Sequence, residues 1–432
     1  MKKKLGLITL VAMMFTMVVT GCGSKGNTDG GGSAGGSEDA TGDTEIVVWA
    51  WDVALEQLEK NAEIFKQDNP GVNFVFEDMG TDQIYSKLVT SLSTGIGLPD
   101  VVAIEGEQMS GFGNKFPDVF LKLDDIVDKD QYLPIKISEV LVEDHILAFP
   151  WDAAPMAMYY RTDVFEEAGV NAEEIITWDD YIEAGKKVVE KTDFKMLPLS
   201  ETAGDLMYRT LLSELGSFYF DDEGNTRVDS PESIEAMSMV KKIHEAGISQ
   251  DYSGWDEYIL TLTGERVATI PEAVWMIGSI KEEAGFTAGK WGVIPLPKFE
   301  AGGSSAATNG GAVLAIPGTT ENPEIVKQFV KFSMTDVASL IDGFESYGLY
   351  PSYIPTYENE IFNQGDDFFG GQKVYEIFNQ YGKQIPAVNY TENFAEALDA
   401  NKSAITKVLL KDESVEETMK NLQKELEAKF GK

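Results

Sequence analysis

The chain has 432 residues, with 72 acidic against 35 basic side chains and a formal charge of -37. A field of that sign repels the backbone of nucleic acid and the anionic face of a membrane, so a nucleic-acid partner is excluded. The length exceeds what one hydrophobic core usually fills, and two domains are expected.

Lys2, Lys3 and Lys4 precede an apolar run over residues 5–19 and then the only cysteine, Cys22. The run is shorter than the roughly 20 residues a spanning helix needs, so it reads as an export signal. Val19-Thr20-Gly21-Cys22 resembles the bacterial lipobox, which implies cleavage before Cys22 and a diacylglycerol on its sulfur; a plain signal peptide or an uncleaved anchor is the alternative. Residues 23–42, GSKGNTDGGGSAGGSEDATG, hold no apolar side chain larger than alanine and read as a flexible tether. Gly31-Gly32-Ser33-Ala34-Gly35 fits the G-x-S-x-G pattern only by accident, since no strand precedes it and no helix follows.

From residue 44 onward strands and helices alternate, which predicts an α/β architecture with largely parallel sheets. Strands are expected over residues 46–51, 72–77 and 99–105, with helices over 53–68 and 81–93. An extended segment follows over 156–160, then helices from 162, over 178–191 and over 205–215, and a turn at 221–225. Ser230 followed by Pro231 reads as a capped helix start. Strands at 267–270 and 292–296 flank a helix beginning near Trp275, and the stretch TNGGAVLAIPG carries another strand.

Two strands end alike, in VVWAWD at Trp51-Asp52 and in LAFPWD at Trp151-Asp152. A pyranose offers a face of C–H groups and an edge of hydroxyls, so a flat ring beside a carboxylate suits it: the ring stacks and the acid accepts hydroxyl protons. Glu105, closing the third strand, is a further acceptor at the carboxyl edge of the sheet, where ligands of such folds bind. Trp49, Trp178 and Trp291 read as packing residues, and Trp255 is undecided. Asn309, Gly310 and Gly311 precede a strand, where the glycines either admit a ligand to the backbone or serve a positive φ.

Metal chemistry finds only His145 and His244, with no H-E-x-x-H or C-x-x-C, and GFTAGKW fails as a phosphate loop. A glycosidase stays open, because two carboxylates about a sugar are also its machinery.

Taken with the lipobox, the stretches VVWAWD, LPDVVAIEGEQM, LAFPWDAAPMAMYYRTDVFEEAGV, GERVATIPEAVWMIGSI, WGVIPLPKF and TNGGAVLAIPGTTENPE resemble extracellular solute-binding protein family 1, the lipid-anchored sugar-binding proteins of ABC importers. The resemblance implies two α/β lobes joined by hinge crossings and closing on a carbohydrate. Signal peptide (1–21), lipidated Cys22 with linker (22–43), lobe one (44–152 and about 312–340) and lobe two (153–311 and about 341–432) are the expected divisions. It also implies that Trp275 stacks on sugar. Asp205 and Tyr208, in the loop entering a helix of lobe two, read as ligand contacts or as packing residues, and Tyr347 and Tyr353 either cap the cleft or pack. The position matching the maltodextrin group's lobe-crossing glutamate is Ala154, with an acid two residues earlier at Asp152, so a different mono- or oligosaccharide is expected. The implied partners are a carbohydrate, the transmembrane subunits of an ABC permease and the membrane through the lipid. The protein is expected to act as a monomer, without catalytic residues, metal or cofactor; a lipoprotein binding a non-sugar solute is the remaining alternative.

Overall fold

The computed structural model describes residues 44–431. The export signal, the Cys22 lipobox and the whole of the Gly/Ser tether lie outside them.

The first body is built on β1 (Thr44–Ala50), α1 (Asp52–Asp68), β2 (Val72–Asp78), α2 (Thr81–Thr94), β3 (Val101–Glu105), α3 (Gly106–Lys115), α4 (Pro134–Val140) and β4 (Ala148–Pro150). Its periods follow the sequence: α1 buries Ala54, Leu58, Ala62 and Phe65 at helical spacing, while β3 is apolar and buried throughout except for its last residue, Glu105. The second body contains β5 (Met156–Arg161), α5 (Leu206–Glu214), α6 (Trp255–Thr263), β6 (Thr269–Ala273), α7 (Met276–Glu283) and β7 (Trp291–Ile294). The chain then returns through β8 (Ala312–Ala315) to the first sheet, and α8 (Phe394–Leu410) is among its last helices.

The first sheet has the order β2-β1-β3-β8-β4, with β1 parallel to both neighbours and β8 antiparallel to β3 and β4. The second, β6-β5-β7, is antiparallel at both pairings. Strand direction there departs from the largely parallel expectation. The buried run MAMYYR of β5 reads the same whether its neighbours are parallel or antiparallel, because helices and loops cover both faces and suppress the inside-outside alternation.

Buried apolar side chains form three clusters. One joins Trp49, Leu58, Ile104, Phe149, Leu314 and Phe329 around the first sheet. Another gathers Trp178, Tyr181, Tyr208 and Tyr219, and a third Tyr159, Ile270, Trp291 and Phe378, on either side of the second sheet. Trp178 and Trp291 each satisfy the indole N–H internally, on Glu214 Oε2 at 2.8 Å and Thr287 Oγ1 at 2.7 Å, as packing residues should.

Three crossing segments run side by side where the bodies meet. The Asn309 N–H donates to the Ala154 carbonyl, the Ala153 N–H to Tyr350 and the Ser352 N–H to Trp151. Asp152 lies opposite Pro351, and Pro155 opposite Thr308. Such segments can bend by small backbone rotations while each lobe keeps its core, which is the requirement for a hinge.

Candidate functional site

A cavity of about 300 Å³ opens on the second body, lined by residues that include Asp205, Arg209, Tyr252, Trp255, Glu272, Trp275 and Asn309. Local sequence explains how each arrives there. Gly254, at φ 81°, starts α6 so that Trp255 stands at its exposed first turn. Strand β6 carries Glu272 to its end, and Trp275 sits at the N-cap of α7 three residues later. Asp205 stands at the N-terminal end of α5, its side chain turned away from the helix N–H groups, and Arg209 follows one turn on; both line the cavity.

The rings form a wall. Trp255 and Trp275 lie 5.8 Å apart between centroids, Trp255 and Tyr258 5.7 Å, and Tyr252 and Tyr258 4.8 Å. Trp255 is 53% exposed, an unusual state for so large an apolar ring. Trp275 is half-buried and donates its indole N–H to the Asn309 carbonyl at 3.0 Å, which fixes the ring plane.

Polar groups converge beneath it. The Asn309 amide donates to Glu272 Oε1 at 2.8 Å; the same oxygen accepts the Ala273 N–H at 2.8 Å, and Oε2 accepts the Tyr258 hydroxyl at 3.2 Å. Burial pushes the Glu272 carboxyl up to about 7, against the pull of these donors. Arg209 spreads its guanidinium over three partners: Nε to Asp205 Oδ1 at 3.2 Å, Nη1 to Glu107 Oε2 at 2.7 Å and Nη2 to Asn309 Oδ1 at 3.5 Å. Burial opposes its charge, but Asp205 and Glu107 outweigh that and hold its pKa well above the usual value. The second oxygen of Asp205 accepts the Tyr219 hydroxyl at 2.6 Å.

Of the residues singled out from sequence, Asp205, Trp275 and Asn309 line this cavity. Gly310, at φ 89°, adjoins it, since a Cβ there would stand 3.7 Å from Trp275 Nε1. Four others do not line it. Trp51 is half-buried on the first core between β1 and α1, and Asp52 is exposed at the start of α1 with φ 41°. Glu105 ends β3 and accepts the Tyr85 hydroxyl at 2.8 Å, its carboxyl raised by burial and by nearby Glu107. Tyr347 ends its helix under Lys60, whose ammonium stands 4.6 Å from the ring centroid.

Three expectations are corrected. Trp151 is 2% exposed inside the first core and offers no ring face. Tyr208 is fully buried in the second core and lines not this cavity but an adjacent, much smaller one that shares Asp205, Tyr252 and Tyr258 with it. Asp152 is also buried; its Oδ1 accepts the Ala312 N–H at 2.6 Å, tying the first crossing to β8 instead of pointing at a ligand. Beside it lie Lys136 and Glu139, a buried ion pair, and Lys136 opposes the upward push that burial gives the Asp152 carboxyl. Of the two Trp-Asp stretches, the second uses its acid to hold the backbone of a crossing segment, while Asp52 stands exposed at a helix start.

Sequence reasoning passed over Glu272, Tyr252 and Glu107, left Trp255 open and gave Arg209 no role. One signal was available: in ATIPEAVW an acid interrupts an apolar strand three residues before a tryptophan.

Comparison with known proteins agrees with this architecture. Residues 47–338 match the family model described as bacterial extracellular solute-binding protein. Similar relatives include the lactose-binding protein of Rhizobium radiobacter, 29% identical with 88% of this chain and 91% of that protein covered. The arabinooligosaccharide-binding protein of Halalkalibacterium halodurans is 27% identical, with 90% and 91% covered. Among solved structures, the fold is similar to the ABC transporter associated binding protein of B. animalis subsp. lactis in complex with beta-1,6-galactobiose. The TM-score is 0.74 at 23% identity, over 89% of this chain and 96% of that one.

Proposed function

The chain belongs to the bacterial extracellular solute-binding proteins, and we propose on that premise that it captures a neutral mono- or oligosaccharide between its lobes for an ABC importer. The observation that carries the reading is the wall of Trp255, Trp275 and Tyr252, backed by the buried ring of Tyr258, beside the cluster of Asp205, Glu272 and Asn309. Rings supply faces for C–H groups, and the oxygens below supply acceptors for hydroxyls. The names of the lactose- and arabinooligosaccharide-binding relatives support the same class of ligand.

Neutrality follows from charge. All three guanidinium nitrogens of Arg209 already face Asp205, Glu107 and Asn309, and Lys402 at the rim is 3.4 Å from Asp399. An acidic sugar would bring a carboxylate among Asp205, Glu107 and Glu272, and both cations among the described lining residues, Arg209 and Lys402, already face carboxylates.

From the first lobe, Trp51, Asp52 and Glu105 are proposed as contacts on closure, because they stand at the carboxyl edge of β1 and β3. Tyr347 is proposed at the margin. The lobes divide in this reading at the crossings around 151–155, 308–312 and 349–352, supported by the separate clusters of buried side chains. The saccharide leaves uncut: both oxygens of Asp205 and both of Glu272 already accept hydrogen bonds, which leaves neither poised as an acid and base pair. The chain is proposed to reach the permease as a monomer tethered by a lipid on Cys22. Fatty-acid labelling of cells expressing the protein tests this, and label persisting in Cys22→Ser would refute it.

The function itself is tested by calorimetry against neutral disaccharides and their uronic-acid counterparts. Saturable binding of a neutral sugar, at least a hundredfold tighter than its acidic match, is expected; preference for the acid would overturn the reading.

A further inference from the structure

Arg209 belongs to the second lobe, on α5, and Glu107 to the first, in the opening turn of α3, yet they form an ion pair at 2.7 Å. Both side chains are largely buried, 16% and 15% exposed, and α8 packs against α3 in the same region. The other two guanidinium contacts reach Asp205 on its own lobe and Asn309 on a crossing segment. Asn309 in turn holds the Trp275 indole through its carbonyl and Glu272 through its amide.

We propose that the Arg209–Glu107 pair is the interlobe contact that sets the balance between open and closed forms, and that Arg209 is a positioning residue coupling the aromatic wall to closure. The physical case rests on what opening does. Separating the lobes takes Glu107 from Arg209 and leaves Asp205 behind, so the cation keeps one carboxylate and loses the other. The guanidinium therefore stays ordered on its own lobe in either form, and closure adds a charge-assisted bond to a donor that is already aimed. Trp275 and Arg209 share Asn309, so a ring held by a bound ligand restrains the residue against which Nη2 rests. Closure and ligand contact thereby favour the same arrangement, as a population shift requires.

The inference rests on the proposed capture between lobes, but its test needs no ligand. Spin labels at Glu63→Cys on the first lobe and Glu183→Cys on the second, both exposed positions, report the interlobe distance in a Cys22→Ser background. Glu107→Gln, which keeps shape and removes charge, is expected to move the distance distribution of the unliganded protein toward longer separations. Once a saccharide is identified, its affinity should fall five- to tenfold in the same variant. Arg209→Lys should recover part of the closed population that Arg209→Gln loses, and the double variant Glu107→Gln/Arg209→Gln should lose little more than either alone. A distribution unchanged by Glu107→Gln, or fully additive effects in the double variant, would overturn the proposal. A shifted distribution in a protein that binds no saccharide would uphold the contact and refute the ligand reading instead.

Discussion

The indole of Trp275 is held by the backbone carbonyl of Asn309 at 3.0 Å, so a ring at the mouth of the second lobe is fixed by a segment that crosses between lobes. A preset ring loses little freedom when a sugar stacks on it, and affinity gains accordingly. Trp275→Ala is expected to weaken saccharide binding at least tenfold, about 1.4 kcal/mol, while Trp275→Phe keeps a ring but loses its anchor and falls between. Calorimetry reads both, and affinity unchanged in Trp275→Ala would remove this residue from the site.

Trp255 separates binding from stability. At 53% exposure it contributes little to the core, so Trp255→Ala should leave the thermal midpoint within a degree or two and still lower affinity severalfold. A large loss of stability with intact binding would make it a packing residue.

Asp152 carries the opposite expectation. Asp152→Ala strips the Ala312 N–H of its acceptor and leaves Lys136 with less compensating charge in a buried place, at a cost of about 2–4 kcal/mol. Chemical denaturation measures the cost. Full stability with weakened saccharide binding would return Asp152 to the ligand.

Gly311 tests the same hinge from its neighbour. Its φ is 101°, and a Cβ there would meet the Asp152 carbonyl oxygen at 2.6 Å. Gly311→Ala should cost about 1–3 kcal/mol and displace the crossing, read by denaturation and by the interlobe distance. A neutral outcome in both would show the backbone there to be free to relax.

Glu272 predicts a pH dependence. Burial raises its carboxyl from 4.5 to about 7, so between those values the folded protein holds a proton that the unfolded chain releases. Stability from this group is complete below about 4.5 and is lost as pH rises through 7. Glu139, also raised to about 7 by burial, adds a slope of the same sign. The thermal midpoint of the parent should therefore fall between pH 5 and 8, and that of Glu272→Gln should fall less. An identical decline in both proteins would show that Glu272 does not titrate there.

Much of the fold was legible because its elements carry local signals. Thr177 and Ser230 cap their helices, and the 178–191 helix begins and ends where the pattern predicts. Strand direction in the second sheet was not legible, because a run covered on both faces loses the alternation that distinguishes antiparallel neighbours. At the candidate site, Trp275 was singled out through family resemblance, Asp205 through its place at a helix start and Asn309 through its place before a crossing strand, and all three line the cavity. Trp151 and Asp152 misled because a ring followed by an acid looks alike whether it faces a ligand or a hinge; only the position of the Ala312 N–H, 160 residues away, decides. Glu107 and Arg209 could not have been paired from sequence, since their meeting depends on how two lobes sit together.

The most direct measurement is titration of the purified protein with a panel of neutral mono- and oligosaccharides, following tryptophan fluorescence and recovering the sugar by chromatography. Saturable quenching or enhancement that is lost in Trp275→Ala, with the sugar recovered uncut, is the predicted result. Cleaved product, or a panel without any saturable response, would contradict capture of a neutral saccharide by the aromatic wall.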